Sequence, residues 1–535
     1  MLPGLMMKRE LTVTSIIEHA SRAFPDVSVA SALGDGGHHQ YTYRDAGQRI
    51  VKLANALLGL GVLPGDRVAT LAWNGFRHFE LYYAIAGIGA VCHTINPRLP
   101  HEQIAYIIHH AQDRVLFFDM GLSELVAGLK ADLPDDLILV DMTAEAKAGA
   151  HGYERLLSNA SASITWPKID ELAAAGLCYT SGTTGAPKGV LYSHRSSVLH
   201  ALAVIAAGTK GLRPGGVVLP VVPLFHANAW GLAHAAPIVG ASLVWPGPRL
   251  DGPSLFSLMD RERVTSAWGV PTVWLGLIEE MRAKGRRPSG LREVIIGGSA
   301  APAAMIQAFE NEFDVEAVHG WGMTEMSPVG TLCTMPDAHA TLGTGAQMET
   351  KLRQGRPLFG VELRIVADGA VQPSDGRAVG ELQVKGHAVA SAYFDNEEAS
   401  AKAFDGEGWF ATGDVARLAS DGSLEIVDRV KDLIKSGGEW ISSIDVENAA
   451  MSLPGVAMCA VIASPHERWG ERPLLVMVRR EGFQLSPDDI MQGLARRLAK
   501  WQLPDAIMFV DCLPMTPTGK VSKLKLREQL AISAT

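Results

Sequence analysis

The chain has 535 residues, 47% hydrophobic and 20% charged, and a formal net charge of −9. At roughly 150 residues per domain that length holds about three to four domain-sized units with large cores. The acidic balance excludes an overall basic field for nucleic acid, and the ordinary apolar content excludes global disorder.

The first third alternates helix and strand signals. Thr42 caps a predicted helix with apolar face Ala46, Ile50, Leu53, Ala54, Leu57 and Leu58, stopped by Gly61 and the Pro64-Gly65 turn. A strand over 67–73, a helix over 79–88 and a strand over 90–95 follow. This is βαβ grammar, and it predicts a parallel sheet with helices on both faces. The same grammar returns at Val294–Ile296 (strand), Pro302–Phe313 (helix) and Val315–His319 (strand). From about 355 short strands dominate, at 361–366, 380–385 and 424–427. Beyond Asp428 the chain reads as a compact module, with Ser486, Pro487 and Asp489 starting a helix whose apolar face is Ile490, Met491, Leu494 and Leu498.

The five cysteines, at 92, 178, 333, 459 and 512, are scattered and form no CxxC or CxxH pair, which argues against a zinc or disulfide framework and for a reducing compartment. Neither a signal peptide nor a C-terminal address is legible. Between Arg213 and Arg249 lie 35 residues without Asp, Glu, Lys or Arg. Six prolines in that stretch exclude a spanning helix, leaving a buried strand–loop–helix segment or the wall of an apolar pocket.

The strongest local signal is Tyr179-Thr180-Ser181-Gly182-Thr183-Thr184-Gly185-Ala186-Pro187-Lys188-Gly189. Glycines admit backbone N–H groups to an anion, hydroxyls donate and lysine neutralises charge, which is the chemistry of a polyphosphate cradle rather than of a Walker A loop; a plain polar surface loop is the alternative. Further motifs follow in order. They are Gly297-Gly298-Ser299-Ala300-Ala301-Pro302, His319-Gly320-Trp321-Gly322-Met323-Thr324-Glu325, Trp409 to Asp414, Asp428-Arg429-Val430-Lys431-Asp432, Lys435 to Trp440, and Pro517-Thr518-Gly519-Lys520.

Together, over roughly residues 40–530, these motifs resemble those of the adenylate-forming superfamily, which comprises acyl-CoA synthetases, firefly-type luciferases and nonribosomal-peptide adenylation domains. The wording PVVPLFHANAW, IIGGSAAP and KDLIKSGGEWISS is most similar to that of bacterial medium- and long-chain fatty-acid–CoA ligases. The resemblance implies an α/β fold. Residues 1–428 form a large N-terminal domain of parallel α/β sheets with a small β-rich subdomain at about 355–428. Residues 429–535 form a small mobile C-terminal α+β domain, with the hinge at about 428–432. It also implies a two-step reaction: a carboxylic acid and ATP give acyl-AMP and pyrophosphate, and a thiol of coenzyme A then displaces AMP. ATP, Mg²⁺ and coenzyme A are the implied cofactors. The implied setting is cytoplasmic, with no membrane segment, no nucleic acid and a homodimer as family habit.

Roles follow by resemblance. Lys520 clamps carboxylate and α-phosphate. Glu325 ligates Mg²⁺, with Thr180 near it, and Thr324 meets the α-phosphate. Thr183, Thr184 and Lys188 lie near the β- and γ-phosphates, and Ser181 belongs to the same cofactor-binding loop. Gly298, Ser299, His319 and Gly320 line the nucleotide, and Trp321 stands where the family has a tyrosine that stacks on adenine. Asp414 and Arg429 take the ribose. Lys431 is the hinge residue, Lys435 contacts AMP phosphate in the second state, and Gly437, Gly438 and Trp440 border the pantetheine tunnel. His226, Ala227 and Trp230 border the acyl pocket. The uncharged 214–248 stretch offers no cation for a second acidic group, which disfavours dicarboxylates and amino acids. A short thioether or aryl acid, or a carrier-protein pantetheine as acceptor, is the alternative. Outside the class, an α/β-hydrolase would need a GxSxG elbow, and Gly297-Gly298-Ser299-Ala300-Ala301 falls one residue short.

Overall fold

The computed structural model describes residues 1–142, 150–180, 186–334, 343–437, 439–517 and 519–533. Four sheets organise these residues.

Seven strands, starting at His151, Ile138, Asp113, Arg67, Val91, Ala174 and Lys188, form one sheet. All its pairings are parallel except the last, in which Ala174–Thr180 runs antiparallel to Lys188–Ser193. The predicted βαβ unit is present as strand Arg67–Leu71, helix Phe76–Gly87 and strand Val91–Ile95. The helix is buried at every position but Arg77, sandwiched rather than half-solvated.

A nine-stranded sheet holds Glu316–Gly322, Glu293–Ile296, Ser266–Gly269, Val217–Pro220, Ser242–Trp245 and Ser28–Ala32 side by side in parallel, with antiparallel strands at both ends. Its central strands are near-continuous apolar runs, as burial on both faces requires. The uncharged stretch is the expected strand–loop–helix: strand Val217–Pro220, a tight turn, helix Leu232–Val239 and strand Ser242–Trp245.

The β-rich segment forms a fully antiparallel sheet from Val361–Ala367 to Leu424–Arg429. The small C-terminal domain carries the last sheet, built on the long hairpin Val456–His466 and Gly470–Arg479. The Ser486–Asp489 capping box starts helix Pro487–Ala495, whose Ile490 and Leu494 are buried.

Two local expectations needed correction. Leu58 is 47% exposed rather than on the buried face of its helix, whose Thr42–Asp45 capping box and remaining apolar positions are as predicted. The 302–313 helix is a short α-helix, Ala303–Gln307, followed by a π-helical turn, Ala308–Glu312. Among the described residues no helix is long and apolar enough to cross a membrane.

Candidate functional site

Several of the sequence motifs converge beside the antiparallel sheet, where Trp321, Asp414, Arg429 and Lys520 come together. Strand Phe410–Leu418 places Asp414 opposite Arg429 on the neighbouring strand. Arg429 Nε lies 2.6 Å from Asp414 Oδ1, and Trp321 Nε1 donates to Asp414 Oδ2 at 2.8 Å. The carboxylate is buried, which pushes its pKa up; Arg429, the Trp321 N–H and Lys520 oppose that push. A carboxylate so oriented keeps lone pairs for a diol. Trp321, expected as a stacking ring, here donates its indole N–H to Asp414.

Glu325 sits in the short 3₁₀ turn Thr324–Met326 directly after strand Glu316–Gly322. Its side chain is buried, and its Oε1 accepts from the Tyr393 hydroxyl at 2.7 Å. Burial raises its pKa, opposed first by that hydrogen bond. The Lys188 ammonium stands 4.9 Å from the centre of the same tyrosine ring. Lys188 is also the strand partner of Thr180. The buried Thr324 carbonyl accepts from Tyr192 at 2.8 Å, fixing the turn. Ser181, Thr183 and Thr184 lie outside the described residues.

Lys520 enters this site from the C-terminal domain. Thr272 donates to the Gly519 carbonyl at 2.9 Å, and a Cβ placed on Gly298 would stand 3.3 Å from Lys520 Cε. Gly298 has φ +80°, a left-handed value that glycine tolerates, and a side chain there would also press on Val270 and Lys520. Burial and the neighbouring Arg429 cation bring Lys520 down to about 8, while Asp414 pulls it back up. His226 is held near 4, chiefly by burial and then by Lys520, so its imidazole is neutral at pH 7.

Trp230 packs against the same glycine pair: a Cβ on Gly297 would come within 2.9 Å of its ring. Ala227 and Trp230 are buried. His319 is buried and neutral, accepting from the Ala301 N–H at 3.3 Å and donating to the Leu352 carbonyl at 3.0 Å. It braces the Gly297–Pro302 loop that carries Ser299, while the Gly320 carbonyl lies 3.1 Å from a Cβ on Gly297.

The remaining motif residues stand apart. Lys435 and Trp440 face each other across a hairpin, with the ammonium 4.9 Å from the indole centre. Gly437 has φ +59° and donates to the Trp469 carbonyl at 2.8 Å; Gly438 lies outside the described residues. Among the described residues none of these touches Asp414, Glu325 or Lys520. Lys431 is exposed, and its carbonyl accepts from Arg527 at 3.5 Å.

Tyr393, Tyr192 and Thr272 were not legible as site residues. Tyr393 is 68 positions from Glu325, and only the fold joins them.

The model of the AMP-binding enzyme family matches residues 17–394, and that of its C-terminal domain matches residues 445–520. The chain belongs to the AMP-binding enzyme family. This AMP-binding enzyme is 46% identical over 533 residues to 3-methylmercaptopropionyl-CoA ligase of Ruegeria pomeroyi, covering 98% of each chain. It is 45% identical over 533 residues to medium-chain-fatty-acid–CoA ligase of Ectopseudomonas oleovorans, covering 98% of this chain and 97% of the relative. Among solved structures it resembles the anthranilate CoA ligase AuaEII in complex with anthranoyl-AMP, with a TM-score of 0.89, 25% identity and 99% coverage of both chains. The expected superfamily and the expected fold class are thereby both met.

Proposed function

We propose that this AMP-binding enzyme is an AMP-forming acyl-CoA ligase. It converts a monocarboxylic acid and ATP to acyl-AMP and pyrophosphate, then passes the acyl group to coenzyme A. The observation that carries the reading is Lys520 beside Gly298, above the Asp414–Arg429–Trp321 cluster.

The first step brings a carboxylate onto a triphosphate, anion onto anion, so preorganised positive charge lowers the barrier. Lys520 supplies it between the two reacting groups. Asp414 orients the ribose, and Thr324 faces the α-phosphate. Thr180, Ser181, Thr183, Thr184 and Lys188 take the outer phosphates. Neutral His226 covers the acyl-phosphate without adding a competing charge.

Among the described residues no group of three or more His, Cys, Asp or Glu is placed to hold a metal ion. One buried carboxylate is what a Mg²⁺ site needs when substrate phosphates supply further ligands. Glu325, with Thr180 nearby, fits Mg²⁺ in that way, and the ion would supply charge to the triphosphate.

For thiolysis Lys520 must leave the carbonyl it guards. We place the domain boundary at 428–432 with Lys431 as the pivot, bringing Lys435, Gly437, Gly438 and Trp440 to the site for the second step. Free coenzyme A as acceptor and a cytoplasmic setting belong to this reading.

The acid pocket is uncharged, since residues 214–248 hold no Asp, Glu, Lys or Arg. That favours an apolar tail, and the medium-chain relative supports a fatty acid. A short thioether acid is the second reading, favoured by the 3-methylmercaptopropionyl-CoA ligase relative at 46% identity against 45%. Pyrophosphate release over straight-chain acids from acetate to palmitate, 3-methylthiopropionate and aryl acids separates them. A maximum at medium or long chain is expected, and no release with any acid would refute the ligase.

A further inference from the structure

Five consecutive residues, Ala227, Asn228, Ala229, Trp230 and Gly231, have φ of 48°, 60°, 49°, 56° and 80°. This is a turn of left-handed helix in which four of the five residues carry a Cβ. L residues avoid that conformation, and a run of them persists only where the surroundings over-determine it.

The restraints are visible. Upstream, the buried Asn74 spends its whole amide on one segment. Its Oδ1 accepts from the Leu224 N–H at 2.6 Å, and its Nδ2 donates to the carbonyls of Pro220 and Val222 at 2.9 Å each. Tyr82 donates to the Leu224 carbonyl at 2.5 Å. Downstream, Tyr83 donates to the Ala233 carbonyl at 2.6 Å. Beneath, His200 accepts from the Val329 N–H at 3.0 Å, and its ring leaves 2.6 Å to a Cβ on Gly231.

The turn carries Trp230 onto Gly297 and Gly298, the same Gly298 that Lys520 approaches, and His226 immediately precedes it. We propose that Asn74 is a positioning residue for the acid-activation step. By fixing Pro220, Val222 and Leu224 it sets the root of the left-handed turn, and so where His226 and Trp230 stand beside Gly298 and Lys520. The proposal rests on the ligase reading. Asn74 itself is a loop residue after strand Arg67–Leu71 and acts only through the segment it holds.

The test compares Asn74→Ala and the isosteric Asn74→Asp, which loses both donors, with Tyr43→Phe. Tyr43→Phe removes a buried hydrogen bond to the Ala241 carbonyl, 2.6 Å long, elsewhere in the same core. Both Asn74 variants should lose about 10²-fold in kcat/KM for octanoate in pyrophosphate release, the scale of a small misplacement at a reacting centre. Their KM for ATP should stay within about twofold, as expected when only the acid side is disturbed. Amide exchange should quicken over 220–232 and not elsewhere in the domain. Tyr43→Phe should lower Tm without that split.

Equal losses on acid and ATP in all three variants, or unchanged exchange over 220–232, would overturn the proposal. If the Asn74 variants do not fold, Tyr82→Phe should show the same split at smaller size, and its absence counts against the proposal equally. Wild-type enzyme that released no pyrophosphate with any acid would remove the ligase reading, while exchange over 220–232 would still decide whether Asn74 holds the segment.

Discussion

The indole N–H of Trp321 donates to the carboxylate of Asp414 at 2.8 Å, joining residues 93 positions apart. The contact ties strand Glu316–Gly322 of the nine-stranded sheet to strand Phe410–Leu418 of the antiparallel sheet. A hydrogen bond to a charged group is worth about 1.5–3 kcal/mol net. Trp321→Phe keeps an aromatic face and loses the donor. Its KM for ATP should rise about tenfold or more by that energy, with Trp321→Tyr intermediate. A Phe variant with wild-type KM would show that ring stacking alone matters.

Lys520 titrates near 8, lowered by burial and by Arg429. Below pH 8 the ammonium is present and activation proceeds; above it the charge is lost. In the free enzyme, kcat/KM for the acid in pyrophosphate release should fall about tenfold per unit as pH rises past about 8, as one essential proton requires. Lys520→Arg should remove that limb at a lower plateau. A limb that stays in the Arg variant belongs to another group.

Tyr393 holds Glu325 at 2.7 Å. Its hydroxyl stabilises the charged carboxylate against burial, so Tyr393→Phe should raise the Glu325 pKa further. Pyrophosphate release near pH 6 should then weaken more than at pH 8, and the Mg²⁺ concentration for half activity should rise about tenfold, the cost of a charged hydrogen bond. Titrating Mg²⁺ at both pH values reads this, and an unchanged demand would release Tyr393 from the role.

Gly298 combines φ +80° with a Cβ position 3.3 Å from Lys520 Cε. Gly298→Ala should lower activation about 10²-fold through displacement of the lysine, while Tm falls only by the strain of one left-handed alanine. Equal activity in the Ala variant would place Lys520 elsewhere during the reaction.

Much of this was legible in the sequence for local reasons. Thr42 and Ser486 cap helices through their own side chains, and the Val294–Ile296 run is buried on both faces, so pattern and structure coincide. The motif order brought Asp414, Glu325 and Lys520 to notice because each lies within a short recognisable run. What escaped depends on the fold. Leu58 sits at the rim of its helix face, where periodicity cannot tell edge from centre. The left-handed turn at 227–231 contradicts local preference and exists through Asn74, Tyr82, Tyr83 and His200, all of them distant from it in sequence. Tyr393 follows no motif and matters only because the chain returns it to Glu325.

The central claim is that Lys520 serves acid activation and then withdraws. Its most direct test is Lys520→Ala assayed separately in each half-reaction: pyrophosphate release from acid and ATP, and thioester formation from supplied acyl-AMP and coenzyme A. Loss of the first with retention of the second is the predicted result. Equal loss of both would contradict the division of labour, and retention of both would remove Lys520 from the chemistry.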